Sequence, residues 1–254
     1  MRYTIAICGF FPFLLHFKRI NKEVLIAGFF TGLLYFVSIV TQTYGLQTTT
    51  AGKAGFITGL STIMVPIFAW LLYRERVKRR IWIAVVLSIS GMVLLLLEGT
   101  GGIIIGDLLV LICAVFCAFF IIYNNKYVRI YDVYAYSVIQ LVTLSITSFI
   151  FSLIIQENYL SITFSLDFWM IMLYMGFATT TLTFLFQNWG QQYLSPSKTA
   201  IIFTLEPVFA ALFGFLLGNA IITLINLIGM LIIFIAILIA VLRQNDERKN
   251  HFEI

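Results

Sequence analysis

One carboxylate stands inside an apolar run: Leu205-Glu206-Pro207 lies seven residues beyond Thr199, where the run opens. An ionised carboxylate in hydrocarbon is costly, so such a group faces a polar interior or carries a proton. Proton coupling and binding of a substrate ammonium are the two chemistries that fit. A structural acceptor for a neighbouring hydroxyl or amide, or a helix-end site near water, fits as well. Lys53 and Lys198 stand at the openings of two apolar runs. Each reads first as an interface lysine whose stem lies in the apolar layer while its ammonium reaches water. If they bind, they suit an anionic group beside a helix N-terminus. Neutral hydrogen-bonding groups cluster at Gln187-Asn188-Trp189-Gly190-Gln191-Gln192 and at Thr179-Thr180-Thr181-Leu182-Thr183. Gln42, Gln47, Thr58, Ser61, Thr62 and Gln140 add to them. A pocket of such groups with aromatic walls suits a small amphipathic metabolite.

Enzyme chemistry finds no foothold. The sequence has no G-x-S-x-G and no H-E-x-x-H; its two histidines, His16 and His251, fall at a run's edge and in the C-terminal tail. Asp107, Asp132 and Asp167 all fall at the ends of apolar runs, where no aspartate pair can form at mid-membrane. There is no phosphate-binding G-x-x-x-x-G-K-[ST] loop, which argues against ATP-driven transport by this chain alone. Cys8, Cys113 and Cys117 include no C-x-x-C pair. Cys113 and Cys117, four apart on one run, read as helix packing. No metal and no cofactor is expected.

The elements that must position these groups are membrane spans. Of 254 residues, 61% are hydrophobic and 11% charged, and the mean hydropathy is +1.02. A soluble domain carries about 25% charged residues, so the composition excludes a soluble enzyme or nucleic-acid binder, despite the net charge of +5. Crossing a bilayer takes roughly 20 apolar residues. Nine such runs are predicted: 3–17, 24–44, 54–73, 81–97, 106–123, 134–155, 168–187, 199–217 and 222–242. The first is the shortest; it lacks a small-residue cleavage site and so does not read as a signal peptide. Fourteen of the sixteen lysines and arginines fall on one side of the resulting topology, with only Arg2 and Lys53 opposite. Cytoplasmic loops retain positive charge, so the predicted N-terminus is outside and the C-terminus inside a multi-pass cell-membrane protein.

Two of the spans repeat one pattern. Pro66-Ile67-Phe68-Ala69 and Pro207-Val208-Phe209-Ala210 each follow a small-residue stretch with a lysine, Thr50-Ala51-Gly52-Lys53-Ala54 and Ser195-Pro196-Ser197-Lys198-Thr199. Each precedes a span carrying Gly-Met, at Gly91-Met92 and Gly229-Met230. The two copies enter the membrane from opposite sides, as in an inverted-topology repeat, a common carrier architecture. Pro66 and Pro207 each remove a backbone donor, predicting kinks that free carbonyls. Gly55-x-x-x-Gly59 and Gly214-x-x-x-Gly218 read as helix–helix contacts. The position matching Glu206 in the first copy is Val65.

These stretches resemble the EamA family of the drug/metabolite transporter superfamily. The similarity is carried by Gly45-Leu46-Gln47-Thr48-Thr49-Thr50-Ala51-Gly52-Lys53-Ala54-Gly55-Phe56-Ile57-Thr58-Gly59-Leu60, by Gln191-Gln192-Tyr193-Leu194-Ser195-Pro196-Ser197-Lys198-Thr199-Ala200, and by Leu205-Glu206-Pro207-Val208-Phe209-Ala210-Ala211-Leu212-Phe213-Gly214. Gly106-Asp107-Leu108-Leu109, with Ala114 and Ala118, resembles the opening span of the second repeat. The resemblance implies five-helix repeats, both termini cytoplasmic, and export or exchange of small metabolites. Two features depart from it. Asn219 follows Gly218 where the family commonly has an acidic residue, and Arg2-Tyr3-Thr4-Ile5-Ala6 resembles the opening of the family's second span.

The expectation is therefore an all-α integral membrane protein of nine helices in two inverted repeats, four helices plus five against the family's five plus five. The repeats fall at 1–100 and 101–243, followed by a cytoplasmic tail at 244–254. The expected function is secondary transport, as an exporter or exchanger, of a small organic metabolite or drug-like solute. A degenerate homologue without activity, or a structural membrane subunit, is the alternative, because the missing span would open a groove to lipid. A start upstream supplying that span is the other branch. The partners are a small-molecule solute and the bilayer, with no nucleic acid and with homodimerisation left open. Substrate, direction and coupling ion are not legible.

Overall fold

The computed structural model describes residues 1–10, 21–49, 51–74, 77–96, 104–155, 165–218 and 223–241. Among these, all regular structure is helical. The helices are α1 (Arg2–Gly9), α2 (Lys22–Gly45), α3 (Ala51–Gly59), α4 (Ser61–Tyr73), α5 (Arg79–Leu96), α6 (Ile105–Tyr127), α7 (Val133–Ile154), α8 (Leu166–Gly176), α9 (Thr183–Gln191), α10 (Pro196–Phe203), α11 (Leu205–Gly218) and α12 (Leu224–Val241), with a π-helical turn at Phe177–Leu182 between α8 and α9. Every predicted span coincides with helix. In the first, α1 covers the opening residues, and 11–17 lie outside the described residues. Lys22–Gly45, Ile105–Tyr127, Val133–Ile154 and Leu166–Gln191 are each long and apolar enough to cross a bilayer unaided. The other spans are divided or shorter.

Local sequence explains the helix ends. Asp132 precedes α7 and its carboxylate accepts from Ala135 N at 2.9 Å; Ser165 does the same for Phe168 N at 3.2 Å before α8. Both are N-cap residues satisfying first-turn donors that have no helical partner. Pro196 opens α10, where its missing N–H is harmless. The predicted Pro-containing spans are both broken helices, at Leu60 between α3 and α4 and at Thr204 between α10 and α11. Pro207 accounts for the second break, since it cannot donate to the Phe203 carbonyl. Pro66 instead sits buried inside α4, six residues past the first break.

The chain divides into two compact units. The first comprises Met1–Val37 and Tyr123–Leu194. Its apolar core joins Ala6 and Phe10 of the N-terminal segment to Leu141 and Leu144 of α7 and Phe184 of α9. Lipid gives helices no hydrophobic drive to associate, so close backbone approach carries the packing. A Cβ on Gly28 would lie 2.6 Å from Ile139 Cγ2, and one on Gly32 2.8 Å from Thr143 Cβ, so α2 crosses α7 on these two glycines. Side chains on Gly9 and Gly176 would collide with Thr181 and Ile5, which seats α1 directly on α8 and the π turn.

The second unit comprises Ser38–Ile122 and Ser195–Ile254. Its core gathers Ile81, Ala84 and Val85 of α5, Ile201 of α10, and Ala236 and Ala240 of α12. Gly59 packs on the Met92 side chain, as a small-residue contact should. Gly55 does not: a Cβ there would meet nothing within 4 Å, because it lies a full turn earlier, on a face of α3 with open space. Gly214 and Gly218 lie on α11, with their packing outside the described residues, as is Asn219. The tail at 244–254 is also outside them.

Candidate functional site

Glu206 sits in the first turn of α11, just past the break at Thr204, and retains accessible surface. The break gives the carboxylate a helix N-terminus of its own, where negative charge is favoured. It lies close enough to Cys113 and Cys117 on α6 to act on both electrostatically. The Cys113 thiol also meets the Ser38 hydroxyl at 3.3 Å and lies beside Thr58; Cys117 is hydrogen-bonded with Ser61. Hydroxyls from α2, α3 and α4 thus gather on the two thiols of α6. Thr58 Oγ1 is buried, with the Cys113 thiol as its hydrogen-bonding neighbour. Val65, the matching position in the first copy, is fully buried on α4.

The two lysines fare differently. Lys198 is only 7% exposed on α10, so it is not the surface lysine its position at a span opening suggested. The reason is that the α10 N-terminus, residues 196–201, is enclosed throughout. Lys53 lies on α3, and its side chain is outside the described residues. Of the buried acidic residues, Asp107 is structural: it accepts from Thr49 Oγ1 at 2.6 Å and from Ile104 N at 3.0 Å, tying the turn after α2 to the start of α6.

Gln187 and Gln191 belong to the first unit. Gln187 is half-buried on α9, while Gln191 is sealed within a polar core. Asn124 is its hub. Its amide donates to Asn188 Oδ1 at 2.7 Å and to Gln191 Oε1 at 2.6 Å. Its carbonyl accepts from Gln140 Nε2 at 2.8 Å and from Tyr136 OH at 3.0 Å. Asn188 Nδ2 reaches Ser137 Oγ and Gln140 Oε1, and Gln140 Nε2 also reaches Thr31 Oγ1. The Gln191 Nε2 donor alone in this group has no partner. Flipping that amide would set Nε2 against the Asn124 amide, so the orientation is fixed by the network. Asn124 is the residue that sequence reasoning missed, whereas Asn188 stood in the amide-rich stretch at 187–192. Its signal was weak, because Asn124 lies one residue past the predicted span 106–123, and only the extension of α6 to Tyr127 buries it.

The threonine run forms the π turn: Thr180 and Thr181 are buried, and Arg2 Nε donates to Thr180 Oγ1 at 2.7 Å. Such widened turns free backbone carbonyls, and both hydroxyls bond within or across them: Thr180 to Met175 O, Thr181 to Gly176 O and Ala6 O. A separate cavity of about 540 Å³ in the second unit is lined by Ile67, Trp70, Val77 and Trp82, and holds none of the candidate groups. Its tryptophans adjoin the basic segment at 74–80, the arrangement of an interfacial anchor. Among the described residues, no three His, Cys, Asp or Glu side chains are placed to hold a metal ion.

The sequence pattern of the EamA-like transporter family matches residues 1–97 and 104–242. The chain belongs to that family. It is accordingly a multi-pass membrane protein and a membrane transporter of the drug/metabolite type. An "Uncharacterized transporter" of Archaeoglobus fulgidus is 32% identical over 243 residues, 96% of this chain and 75% of the relative. "Uncharacterized transporter YyaM" of Bacillus subtilis is 22% identical over 202 residues, 77% of this chain and 66% of the relative. A solved crystal structure superposes over 95% of this chain and 85% of its own, with a TM-score of 0.77 at 19% identity, and so speaks for the fold alone.

Proposed function

We propose that this EamA-like chain is a secondary carrier that exports or exchanges a small organic solute, with Glu206 as its binding or coupling carboxylate. The observation that carries the reading is the Glu206 neighbourhood. Glu206, a carboxylate of the eighth predicted span, sits at the N-terminal end of a half-helix within electrostatic reach of the Cys113 and Cys117 thiols of α6. Carriers build sites where spans are interrupted, because free backbone groups and helix termini are available there without exposing them to lipid. Both interrupted spans carry the recurring Pro-aliphatic-Phe-Ala pattern. That supports two inverted repeats at 1–100 and 101–243, followed by a tail at 244–254.

The charge distribution supports an orientation with the N-terminus outside and the C-terminus cytoplasmic. Energy comes from the proton gradient or from exchange. Gln187, Gln191, Thr58, Lys53 and Lys198 are secondary candidates. Lys198 is the strongest of these, because burial makes its charge matter, and a homodimer remains compatible. The test is counterflow in proteoliposomes: a preloaded solute should drive saturable uptake of its labelled form, and Glu206→Gln should abolish it. Non-saturable flux would indicate a channel and overturn the reading.

A further inference from the structure

We propose that the cleft between α4 and α5 is a binding site for an anionic phospholipid, held there as a bound lipid. Its phosphate lies on the cations of the segment 74–80, and its glycerol and upper chains lie between Trp70 and Trp82. The site is independent of Glu206 and of the carrier reading. Three observations carry it. First, the cleft is concave and apolar. Its volume of about 540 Å³ is lined by Ile67 and Trp70 of α4, Val77 of the connection and Trp82 of α5. Ligand sites run from roughly 300 to 1,000 Å³. Both indoles are exposed. An indole joins an apolar body to an N–H donor and settles at the level of lipid headgroups.

Second, the cations gather at its edge. Arg74, Lys78 and Arg79 are exposed and Arg80 is half-buried. Across 74–80 the sequence sets five basic residues against one acid, Glu75. Arg74 ends α4 in a left-handed conformation, φ 52° and ψ 25°, with its N–H donating to Trp70 O at 2.8 Å. Glycine is the usual occupant of such a position, so an arginine is held there against its backbone preference, one turn from Trp70. Basic pockets beside apolar helix surface suit the phosphates of anionic lipids. A soluble phosphate would leave the apolar walls unfilled, and a zwitterionic lipid would bring its own ammonium to the cations.

Third, the second copy of the recurring pattern does without these features. Four residues after its proline stands Ala211 in place of Trp70, and nine before its Gly-Met glycine stands Ala220 in place of Trp82. Its connection at 218–222 has no lysine or arginine, and the Pro-to-Gly spacing is 22 rather than 25. A span pair of this pattern therefore needs neither tryptophan nor charge, which leaves both to serve a ligand.

The test uses the full chain carrying Trp169→Phe and Trp189→Phe, so that only Trp70 and Trp82 report. Phosphatidylcholine nanodiscs receive rising fractions of dibrominated phosphatidylglycerol or dibrominated phosphatidylcholine, whose bromines quench indoles in contact. Quenching by the anionic lipid should saturate, with its midpoint at a fraction about tenfold or more below that of the zwitterionic lipid. Arg74→Gly/Lys78→Gln/Arg79→Gln should remove that preference. Should the triple variant not fold, Arg74→Gly alone suits the left-handed backbone and should lower the preference about threefold or more. Equal quenching by the two lipids, or a preference unchanged in the folded variant, would overturn the proposal. The reverse chain, Trp70→Phe with Trp82→Phe, should show no such saturation; an equal preference at Trp169 and Trp189 would mean general enrichment and no cleft site. Excess glycerol phosphate should compete no better than chloride of equal ionic strength. Loss of the preference to glycerol phosphate alone would make the ligand a soluble phosphate and overturn the lipid.

Discussion

Gly91 and Gly229 meet where α5 crosses α12: a Cβ built on Gly91 would lie 2.7 Å from the Gly229 carbonyl oxygen and 2.7 Å from Ile233 Cγ1. These are the two glycines of the recurring Gly-Met pairs, so the sequence similarity between the halves marks a place where their backbones touch. Met92 and Ile233 are both sealed beside it. Without a hydrophobic drive in lipid, this approach is available only to residues lacking a side chain.

Gly91→Leu should therefore force α5 and α12 apart. Overpacking of a fixed contact costs about 1–3 kcal/mol, and here the obstacle is backbone, which cannot change rotamer. Gly55→Leu, into open space, is the matched control. The measurement is the melting temperature in detergent, with a clear drop expected for the first and little change for the second. Equal melting of both would show that the crossing tolerates separation.

The polar core predicts an asymmetry between two amides. Asn124→Ala removes two donors and an acceptor at once, leaving Asn188 Oδ1, Gln191 Oε1 and Gln140 Nε2 short of partners. Each buried group left unpaired costs about 1–3 kcal/mol in water-soluble proteins, and in membranes pairwise values average about 0.6 kcal/mol. Gln191→Met gives up one bond from Asn124 and also removes the unpartnered Nε2, so it should cost less. Chemical unfolding of the two variants in mixed micelles checks the order. The idea fails if Gln191→Met is the more destabilised.

Glu206→Gln should abolish coupled transport while leaving membrane abundance nearly unchanged, because no hydrogen bond or ion pair among the described residues depends on the charge. Uptake and immunoblotting on the same membranes measure both. Transport at the parental rate would make Glu206 structural.

Topology reporters fused after Lys22, Arg80, Arg129 and Lys198 should report cytoplasm, and those at 97–102 or 156–167 the outside. The expectation comes from fourteen of sixteen basic residues falling on one side. An external signal after Arg80 or Arg129 would reverse it.

The spans were legible in the sequence because apolar length is a one-dimensional property: a bilayer demands about 20 residues in a row, and each run announces itself. The charge asymmetry, the Pro-aliphatic-Phe-Ala recurrence and the family resemblance are equally linear, and the family match bears out the last of them. Which side of each helix matters was not legible. Residues such as Cys113, Cys117 and Asn124 sit in spans that are apolar all round, so no amphipathic stripe declares their facing. Only packing set the azimuth that brings Glu206 within electrostatic reach of the two thiols from about ninety residues earlier in the chain. Only packing enclosed Lys198, opened space at Gly55, and joined Asn124 to Asn188 and Gln191 across 64 and 67 residues. Polar side chains in lipid must find partners, but which partners depends on helix rotation and crossing point. Those are fixed by glycine contacts such as Gly28 on Ile139, which no run of hydropathy encodes.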